Sequence, residues 1–468
     1  MTSIKFGTDG WRAVVGEDFI PENIMKVAQA FADLYPTLPK SGKPVAIGYD
    51  RRNKSPETAE IIASVLLGNG IPVILSTTFC PTPAVSWVVK TSGCTSGVMV
   101  TASHNPPRWN GIKFKEDNGG AASGEFVKPI EDKIESNEKA GRKPQTAEFK
   151  SNPSLARFDP FSEYLQSFSK FVDIDRIKKS GMKVMIDPLF GSGCGFFPKL
   201  LGDMVTEIHN AADFNFGGLN PEPIPPNTNE LMERVKSGGF SCGILTDGDA
   251  DRTGAVDENG NFVTTHEVFS LLVRHCVKNK KWSGKIIKSI STTMMIDRLG
   301  KKYGMPVQIT PVGFKYISPA MKAPGVLVGG EESGGFGFPR HIPERDGVFS
   351  GLLLLELMAT TGNTLGGLVS QLQDEFGPCR YRRMDLHLSA GEIEKAREKM
   401  KSLDIKSIGN LKVARHETMD GHHFLFEDES WLLFRTSGTE PLVRIYAEAP
   451  SFDQVEAMLA EGKRLLGL

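Results

Sequence analysis

Short runs of apolar residues recur along this chain, and each ends where glycine and polar residues begin. Residues 97–100, 243–245 and 325–328 are such runs; each opens on a glycine and has the length of a buried strand. The stretches between the runs place apolar residues at helical spacing, as in 21–34 and 56–67. Strands that alternate with helices predict βα units built on a largely parallel sheet.

The same unit is predicted three times. A second strand candidate precedes each apolar run, at residues 44–47, 182–186 and 285–287. The spacings between the copies are unequal, which argues against a solenoid of fixed period. We therefore expect three related α/β domains.

The pattern changes after residue 376. Strand candidates follow one another there, with helices only at 390–401 and from 452 onward, which is typical of a small α+β domain. The predicted domains are residues 1–152, 153–259, 260–376 and 377–468.

Length and composition narrow the class of protein. A chain of 468 residues is too long for one core, and 55 basic against 56 acidic residues (net charge -1) give no surplus that would favour nucleic acid or an anionic membrane. The first residues lack a signal-peptide core, and the longest apolar stretch, 351–359, contains Glu356 and is far short of a membrane span. The six cysteines are scattered, which argues against a zinc site or a disulfide framework. These features predict a cytoplasmic protein that acts on small molecules.

The first candidate site follows the run at 97–100. Ser103 and His104 lie where the predicted strand gives way to an Asn-Pro-Pro turn, at the carboxyl edge of a sheet where open α/β folds bind ligands. A hydroxyl beside an imidazole is a candidate nucleophile. An ordinary surface turn is the alternative, so partners elsewhere are needed.

The second candidate follows the run at 243–245. Asp247, Asp249 and Asp251 alternate on a turn, where three carboxylates repel one another unless a cation lies between them. Mg²⁺ is the first choice, because it accepts a few carboxylates together with a phosphate oxygen. An EF-hand calcium loop is a weaker alternative, since Arg252 occupies the position that needs glycine, and a solvated acidic turn is another.

A third candidate lies in the last domain, in a turn between two predicted strands. Its arginine, its hydroxyls and the N–H groups of a glycine-containing turn suit a phosphate dianion, although a plain hairpin turn is an alternative. The residues are Arg435, Thr436, Ser437, Gly438 and Thr439.

Taken together, these loops resemble the α-D-phosphohexomutases, the family of phosphoglucomutases and phosphomannomutases. The segment 330–333 and the opening residues 6–12 are similar to that family as well, and the similarity extends from residue 6 to about 448. The resemblance implies a heart-shaped molecule, with three α/β domains and a smaller fourth domain around a central cleft.

The resemblance also implies roles for the candidate residues. Ser103 would carry a phosphoryl group, and the three aspartates would hold Mg²⁺ with the phosphate on Ser103 as a further ligand. Arg252 would stabilise the same oxygens. The sugar hydroxyls and the phosphate that is not transferred would be held by Glu331 and Ser333, and by Arg435, Thr436, Ser437, Gly438 and Thr439, respectively.

The implied reaction interconverts hexose 1-phosphates and hexose 6-phosphates through a 1,6-bisphosphate, with glucose favoured, mannose possible and glucose 1,6-bisphosphate as activator. Glucosamine phosphate, synthesis of the free bisphosphate, a metal-dependent phosphatase and a non-catalytic phosphosugar-binding protein are the alternatives. The expected partner is a small phosphosugar, not nucleic acid or membrane, and the oligomeric state cannot be read from the sequence.

Proton transfer needs a base, and here the chain departs from part of the family. Phosphomannomutase-type members often have histidine where this chain has Gly335. The segment 310–315 resembles a phosphoglucomutase loop whose lysine lies near the reacting hydroxyl, so we predict Lys315 as general base or acid. By the same resemblance Lys113 lies beside the serine and Arg12 approaches the phosphoryl group, and His104 orients the serine or assists proton transfer.

Overall fold

The first α/β unit holds a six-stranded sheet. The computed structural model describes residues 4–7, 9–436 and 442–468. The elements of this unit are β1 (Trp11–Val14), α1 (Pro21–Leu34), β2 (Val45–Tyr49), α2 (Ser55–Gly68), β3 (Val73–Ser76), α3 (Thr82–Ser92), β4 (Ser96–Val100), β5 (Trp109–Lys115), α4 (Gly124–Lys139) and β6 (Leu155–Phe158).

The second and third units follow with the same alternation. The second comprises α5 (Glu163–Ser167), α6 (Ile174–Lys179), β7 (Val184–Asp187), α7 (Phe196–Leu201), β8 (Val205–Glu207), α8 (Asn229–Gly238), β9 (Cys242–Thr246), β10 (Thr253–Val256) and β11 (Phe262–Val263). The third comprises α9 (Thr265–Lys278), β12 (Lys285–Ser289), α10 (Met295–Tyr303), β13 (Val307–Thr310), α11 (Phe314–Ala320), β14 (Val326–Gly330), β15 (Phe336–Gly337), α12 (Gly347–Thr361) and α13 (Leu365–Phe376).

The fourth unit is an antiparallel sheet covered by two helices. Its strand order is β16-β21-β20-β19-β18-β17. Its elements are β16 (Arg380–His387), α14 (Ala390–Lys401), β17 (Ser407–Ile408), β18 (Leu411–Glu417), β19 (His422–Phe426), β20 (Trp431–Thr436), β21 (Leu442–Ala449) and α15 (Phe452–Leu466).

The first three sheets share one core order. It reads β5-β4-β2-β3, β10-β9-β7-β8 and β15-β14-β12-β13, with the first strand of each set antiparallel to the second and the others parallel. The prediction of three related α/β units and an α+β unit is therefore confirmed. The loops that contain Ser103, the three aspartates and Glu331 each leave the carboxyl end of the corresponding strand, β4, β9 or β14, so the repeated topology places them alike.

Two local features differ from the sequence prediction. The first sheet takes in β6, which lies just beyond the boundary predicted at residue 152. Strand β19 was not predicted, because four of its five residues are aromatic or histidine and the buried positions do not alternate.

One apolar core joins the second and third units and takes in α3 of the first unit. Helix α12 lies inside it, buried along almost its whole length, and packs against α9 and α6. No single helix among the described residues is long and apolar enough to cross a bilayer, although α12 and α13 together, with a bend of 82° between them, reach the length and composition of a span.

Candidate functional site

Ser103 is buried at the end of β4 and directed toward the second unit. Its hydroxyl donates a hydrogen bond to Asp247 Oδ2 at 2.8 Å, and His104 Nδ1 lies 3.3 Å from the same hydroxyl oxygen. The backbone of Ser103 is left-handed, with φ of +50°, and its N–H donates to Thr101 Oγ1 at 2.8 Å. A strained non-glycine conformation persists only where the surroundings hold it.

Arg52 supplies that support from the loop after β2. Its guanidinium is fully buried and donates to four backbone carbonyls of the serine loop: Ser103 and Asn105 at 2.6 Å, and Pro106 and Trp109 at 3.0 Å. Asp50 lies 3.4 Å from Nε. One planar cation thus fixes the curvature of the loop that carries the serine.

The aspartate loop joins β9 to β10 and contacts the serine loop closely. A Cβ atom at Gly248 would lie 2.4 Å from the carbonyl oxygen of Ser103, so only glycine allows this approach. Asp247, Asp249 and Asp251 are all buried, and one oxygen from each lies within 4.8 Å of the others.

The donors around the aspartates leave room for a cation. Lys113 Nζ binds the Oδ2 atoms of Asp249 (2.8 Å) and Asp251 (3.3 Å), and Arg345 also binds Oδ2 of Asp251, at 2.7 Å. The Oδ1 atoms of Asp249 and Asp251 are buried and have no hydrogen-bond partner among the described residues. Buried carboxylate oxygens without a hydrogen-bond partner, on aspartates that lie within 4.8 Å of one another, are the ligands a hard divalent cation takes, so these residues fit one.

The charges in the cluster are strongly coupled. Burial raises the pKa of Asp247 well above its ordinary value, and its neighbours Asp249 and Asp251 raise it further. Burial opposes the charge of Lys113, but the carboxylates of Asp249, Asp251 and Asp9 outweigh burial and raise the pKa of this lysine. The lysine stays charged, and a further cation beside the aspartates would favour the charged form of Asp247.

Three further predicted residues surround the serine. Arg12 donates to Asn105 Oδ1 on the serine loop. Arg252 Nε lies 4.0 Å from Asp247 Oδ2, and its terminal nitrogen lies 3.3 Å from Glu222. Burial, with the nearby charges of Arg252 and Arg12, holds the pKa of His104 well below its usual value, so its ring is neutral at neutral pH.

The loop that contains Glu331 and Ser333 is joined to the aspartate cluster by Arg345. Ser333 Oγ donates to Glu331 Oε1 at 2.7 Å, and Arg345 lies 3.4 Å from the same carboxylate oxygen. Arg345 also binds Asp9 at 2.8 Å as well as Asp251, so one buried guanidinium contacts all three α/β units. Burial raises the pKa of Glu331, and Arg345 partly offsets that shift.

The fourth unit presents Arg435 and Thr436 at the end of β20. Arg435 Nε donates to Asp420 Oδ2 at 3.0 Å. The predicted phosphate-binding residues Ser437, Gly438 and Thr439 lie outside the described residues.

Lys315 lies at the start of α11, half-buried. It lines a cavity of about 200 Å³ together with Lys113 and Asp9. The structure therefore places this lysine at the same cavity as groups that bind the aspartate cluster.

Sequence reasoning missed Arg52, Asp9 and Arg345. Arg52 follows the predicted strand at 44–47, at the sheet edge where ligands bind, and this position is a signal that could have identified it. Asp9 stands inside the opening segment whose resemblance was noted. Arg345 has no local pattern, because its partners lie up to 336 residues away along the chain.

Family models match the chain from end to end. They are the phosphoglucomutase/phosphomannomutase alpha/beta/alpha domains I, II and III, at residues 3–141, 162–260 and 264–376, and the C-terminal domain of the same family, at residues 392–463.

Whole-chain relatives agree on the family but differ in the sugar they are named for. A phosphoglucomutase/phosphomannomutase of Thermococcus kodakarensis is 31% identical over 98% of each chain. A phosphoglucosamine/phosphogalactosamine mutase of Sulfurisphaera tokodaii is 32% identical over 98% of each chain. The solved structure of a candidate phosphomannomutase from Thermus thermophilus aligns over 100% of both chains, with 31% identity and a TM-score of 0.86.

Proposed function

The chain belongs to the phosphoglucomutase/phosphomannomutase family and is a phosphohexomutase, and from that premise we propose that it interconverts hexose 1-phosphate and hexose 6-phosphate through a phosphoserine at Ser103. Glucose is the favoured sugar and mannose is possible. The observation that carries the proposal is the 2.8 Å contact of the Ser103 hydroxyl with Asp247, inside a buried cluster of three aspartates.

In the proposed cycle, phospho-Ser103 begins each turnover. The free hydroxyl of the hexose monophosphate attacks the phosphorus; the bond to Ser103 Oγ breaks, and a 1,6-bisphosphate forms. The bisphosphate turns around in the cleft, and its other phosphoryl group returns to Ser103. Glucose 1,6-bisphosphate would activate the enzyme, because it can phosphorylate the free serine directly.

Asp247, Asp249 and Asp251 are the residues that would hold Mg²⁺, with the phosphate on Ser103 as a further ligand. The bound cation would neutralise charge on the transferring phosphoryl group. Lys113 and Arg345 keep one oxygen of Asp249 or Asp251 occupied and so orient the other. Arg12 and Arg252 lie where they can bind the phosphoryl oxygens.

The remaining roles follow the loops. Glu331 would accept hydrogen bonds from sugar hydroxyls, and Ser333 would donate one to them. The Arg435 loop would hold whichever phosphate is not reacting. Lys315 is the proposed general base or acid. His104, neutral and 3.3 Å from Ser103 Oγ, would orient the serine or relay a proton.

Glucosamine phosphate is the second candidate substrate. The relative named for phosphoglucosamine and phosphogalactosamine supports it at the same level of identity as the relative named for glucose and mannose. The three sugars differ by single groups on one ring, so turnover must decide between them.

The decisive experiment offers 1-phosphates of glucose, mannose and glucosamine to the enzyme with Mg²⁺ and a trace of the matching 1,6-bisphosphate. Formation of the 6-phosphate, with mass spectrometry locating a phosphate on Ser103, supports the proposal and names the sugar. Release of inorganic phosphate would indicate a phosphatase instead. If none of the three is interconverted, the proposal fails for these sugars.

A further inference from the structure

Asp420 connects two loops that belong to different units. It lies in the turn between β18 and β19, and its Oδ2 atom accepts two hydrogen bonds: from Arg435 Nε at 3.0 Å and from the backbone N–H of Val312 at 2.9 Å. We propose that Asp420 is a positioning residue that sets the guanidinium of Arg435 for the substrate phosphate and holds the Lys315 loop in register with it.

The choice of nitrogen gives the first reason. Arginine can bind a phosphate bidentately through its two terminal amino groups, as a fork that does not need Nε. Asp420 takes Nε, and within the described part of the chain Arg435 donates no other hydrogen bond. The carboxylate therefore fixes the plane of the guanidinium and leaves the fork for the ligand.

The turn that carries Asp420 is itself fixed. Gly421 has φ of +91°, and a Cβ atom there would lie 2.0 Å from the carbonyl oxygen of Phe434. The turn thus lies directly against β20, the strand that carries Arg435, and the carboxylate of Asp420 cannot move away from its partner without disturbing that strand.

The second hydrogen bond extends the effect to the third unit. Val312 lies between β13 and α11, three residues before Lys315. Its side chain packs against the apolar contact formed by Ile290, Trp431 and Tyr446 between the third and fourth units. A phosphate held by Arg435 and the loop that carries Lys315 would therefore be placed as one assembly.

The inference rests on the proposed function, because it takes Arg435 to bind phosphate. The test measures KM and kcat of the Mg²⁺-loaded enzyme for the hexose 1-phosphate it turns over, in Asp420→Ala, Asp420→Asn and Arg435→Ala. We expect Asp420→Ala to raise KM roughly 10-fold or more, because the variant loses one hydrogen bond to a charged group. Asp420→Asn, whose amide oxygen can still accept both hydrogen bonds, should stay within about 3-fold of the wild type.

A double variant and a matched control separate positioning from loosened packing. Asp420→Ala should add less than about 2-fold to the KM of Arg435→Ala, because both changes remove the same contact. Glu429→Ala removes another contact between the third and fourth units, the 2.8 Å pair with Arg298, and should leave KM unchanged.

Each contrary result has its own meaning. If Arg435→Ala leaves KM unchanged, the phosphate-binding role of Arg435 fails, and the inference falls with it. If Arg435→Ala raises KM while Asp420→Ala does not, or if Asp420→Asn or Glu429→Ala impairs binding as much as Asp420→Ala, the positioning role alone is overturned. A multiplicative effect in the double variant overturns it as well.

Discussion

Replacing Arg52 by lysine tests how the serine loop is held. The guanidinium donates to four backbone carbonyls in two pairs, through its two terminal nitrogens. A lysine keeps the charge beside Asp50, but its single ammonium cannot reach both pairs. At least two carbonyls then lose a charged donor, at about 1–3 kcal/mol each, so we expect the free energy of unfolding to fall by about 2–6 kcal/mol.

The effect on activity should exceed the effect on binding. Ser103 has a left-handed backbone conformation that costs about 1–3 kcal/mol, and Arg52 stabilises it through its hydrogen bonds to the loop. If the loop relaxes by about 1 Å, the nucleophile moves out of line and kcat should fall roughly 100-fold. KM should change little, because Arg52 contacts none of the residues that are predicted to bind the sugar or its phosphate.

Urea unfolding with linear extrapolation measures the first quantity and steady-state mutase kinetics the second. Arg51→Lys is the matched control: the neighbouring arginine donates a hydrogen bond to the Asn210 carbonyl at 3.1 Å and lies over Phe79 at the surface. It should unfold within about 1 kcal/mol of the wild type. If Arg52→Lys behaves like Arg51→Lys in both assays, Arg52 does not position the serine loop.

Three further outcomes are expected. Ser103→Ala should abolish turnover and labelling of the protein by phosphate while leaving the urea midpoint nearly unchanged, since alanine and serine bear the same backbone strain; residual turnover would remove Ser103 from its role. Asp249→Asn should raise the Mg²⁺ concentration for half-maximal activity by about 10-fold or more, because an unpaired carboxylate oxygen is replaced; an unchanged Mg²⁺ dependence would place the cation elsewhere. The hydrogen bond to Asp187 raises the pKa of His209, so the stability from this pair is fully present below about pH 6.5 and is lost as pH rises through the raised value. His209→Gln should remove this decline from urea midpoints measured between pH 6 and 9, and an identical decline in the variant would contradict the assignment.

Features encoded within short stretches of sequence were predictable. The strands at 97–100 and 243–245 and the loops after them could be located, since an apolar run followed by glycine and polar residues is a local signal. Helix α1 begins and ends where its apolar spacing predicts. The helix predicted at 56–67 is α2, which begins one residue earlier, at Ser55, whose hydroxyl donates to Asp50 at 2.7 Å.

Contacts across long sequence separations were not predictable. Arg345 joins Asp9, Asp251 and Glu331, and no spacing in the sequence relates these four residues. Arg52 could be placed at a sheet edge but not matched to the four carbonyls it binds, because backbone acceptors carry no sequence signature. The sequence therefore predicts which loops contain candidate site residues. The contacts by which cations hold these loops together are visible only in the packed units.

These cations also explain how an acidic cluster can form inside the protein. Asp9, Asp249 and Asp251 lie together in a buried region, where uncompensated carboxylates would each cost several kcal/mol. Lys113 comes from the first unit and Arg345 from the third, so docking of the units itself supplies most of the compensating charge. Because both bind Oδ2 atoms, the Oδ1 atoms of Asp249 and Asp251 have no hydrogen-bond partner among the described residues. The ion pairs that join the units would therefore also decide which carboxylate oxygens a divalent cation could bind.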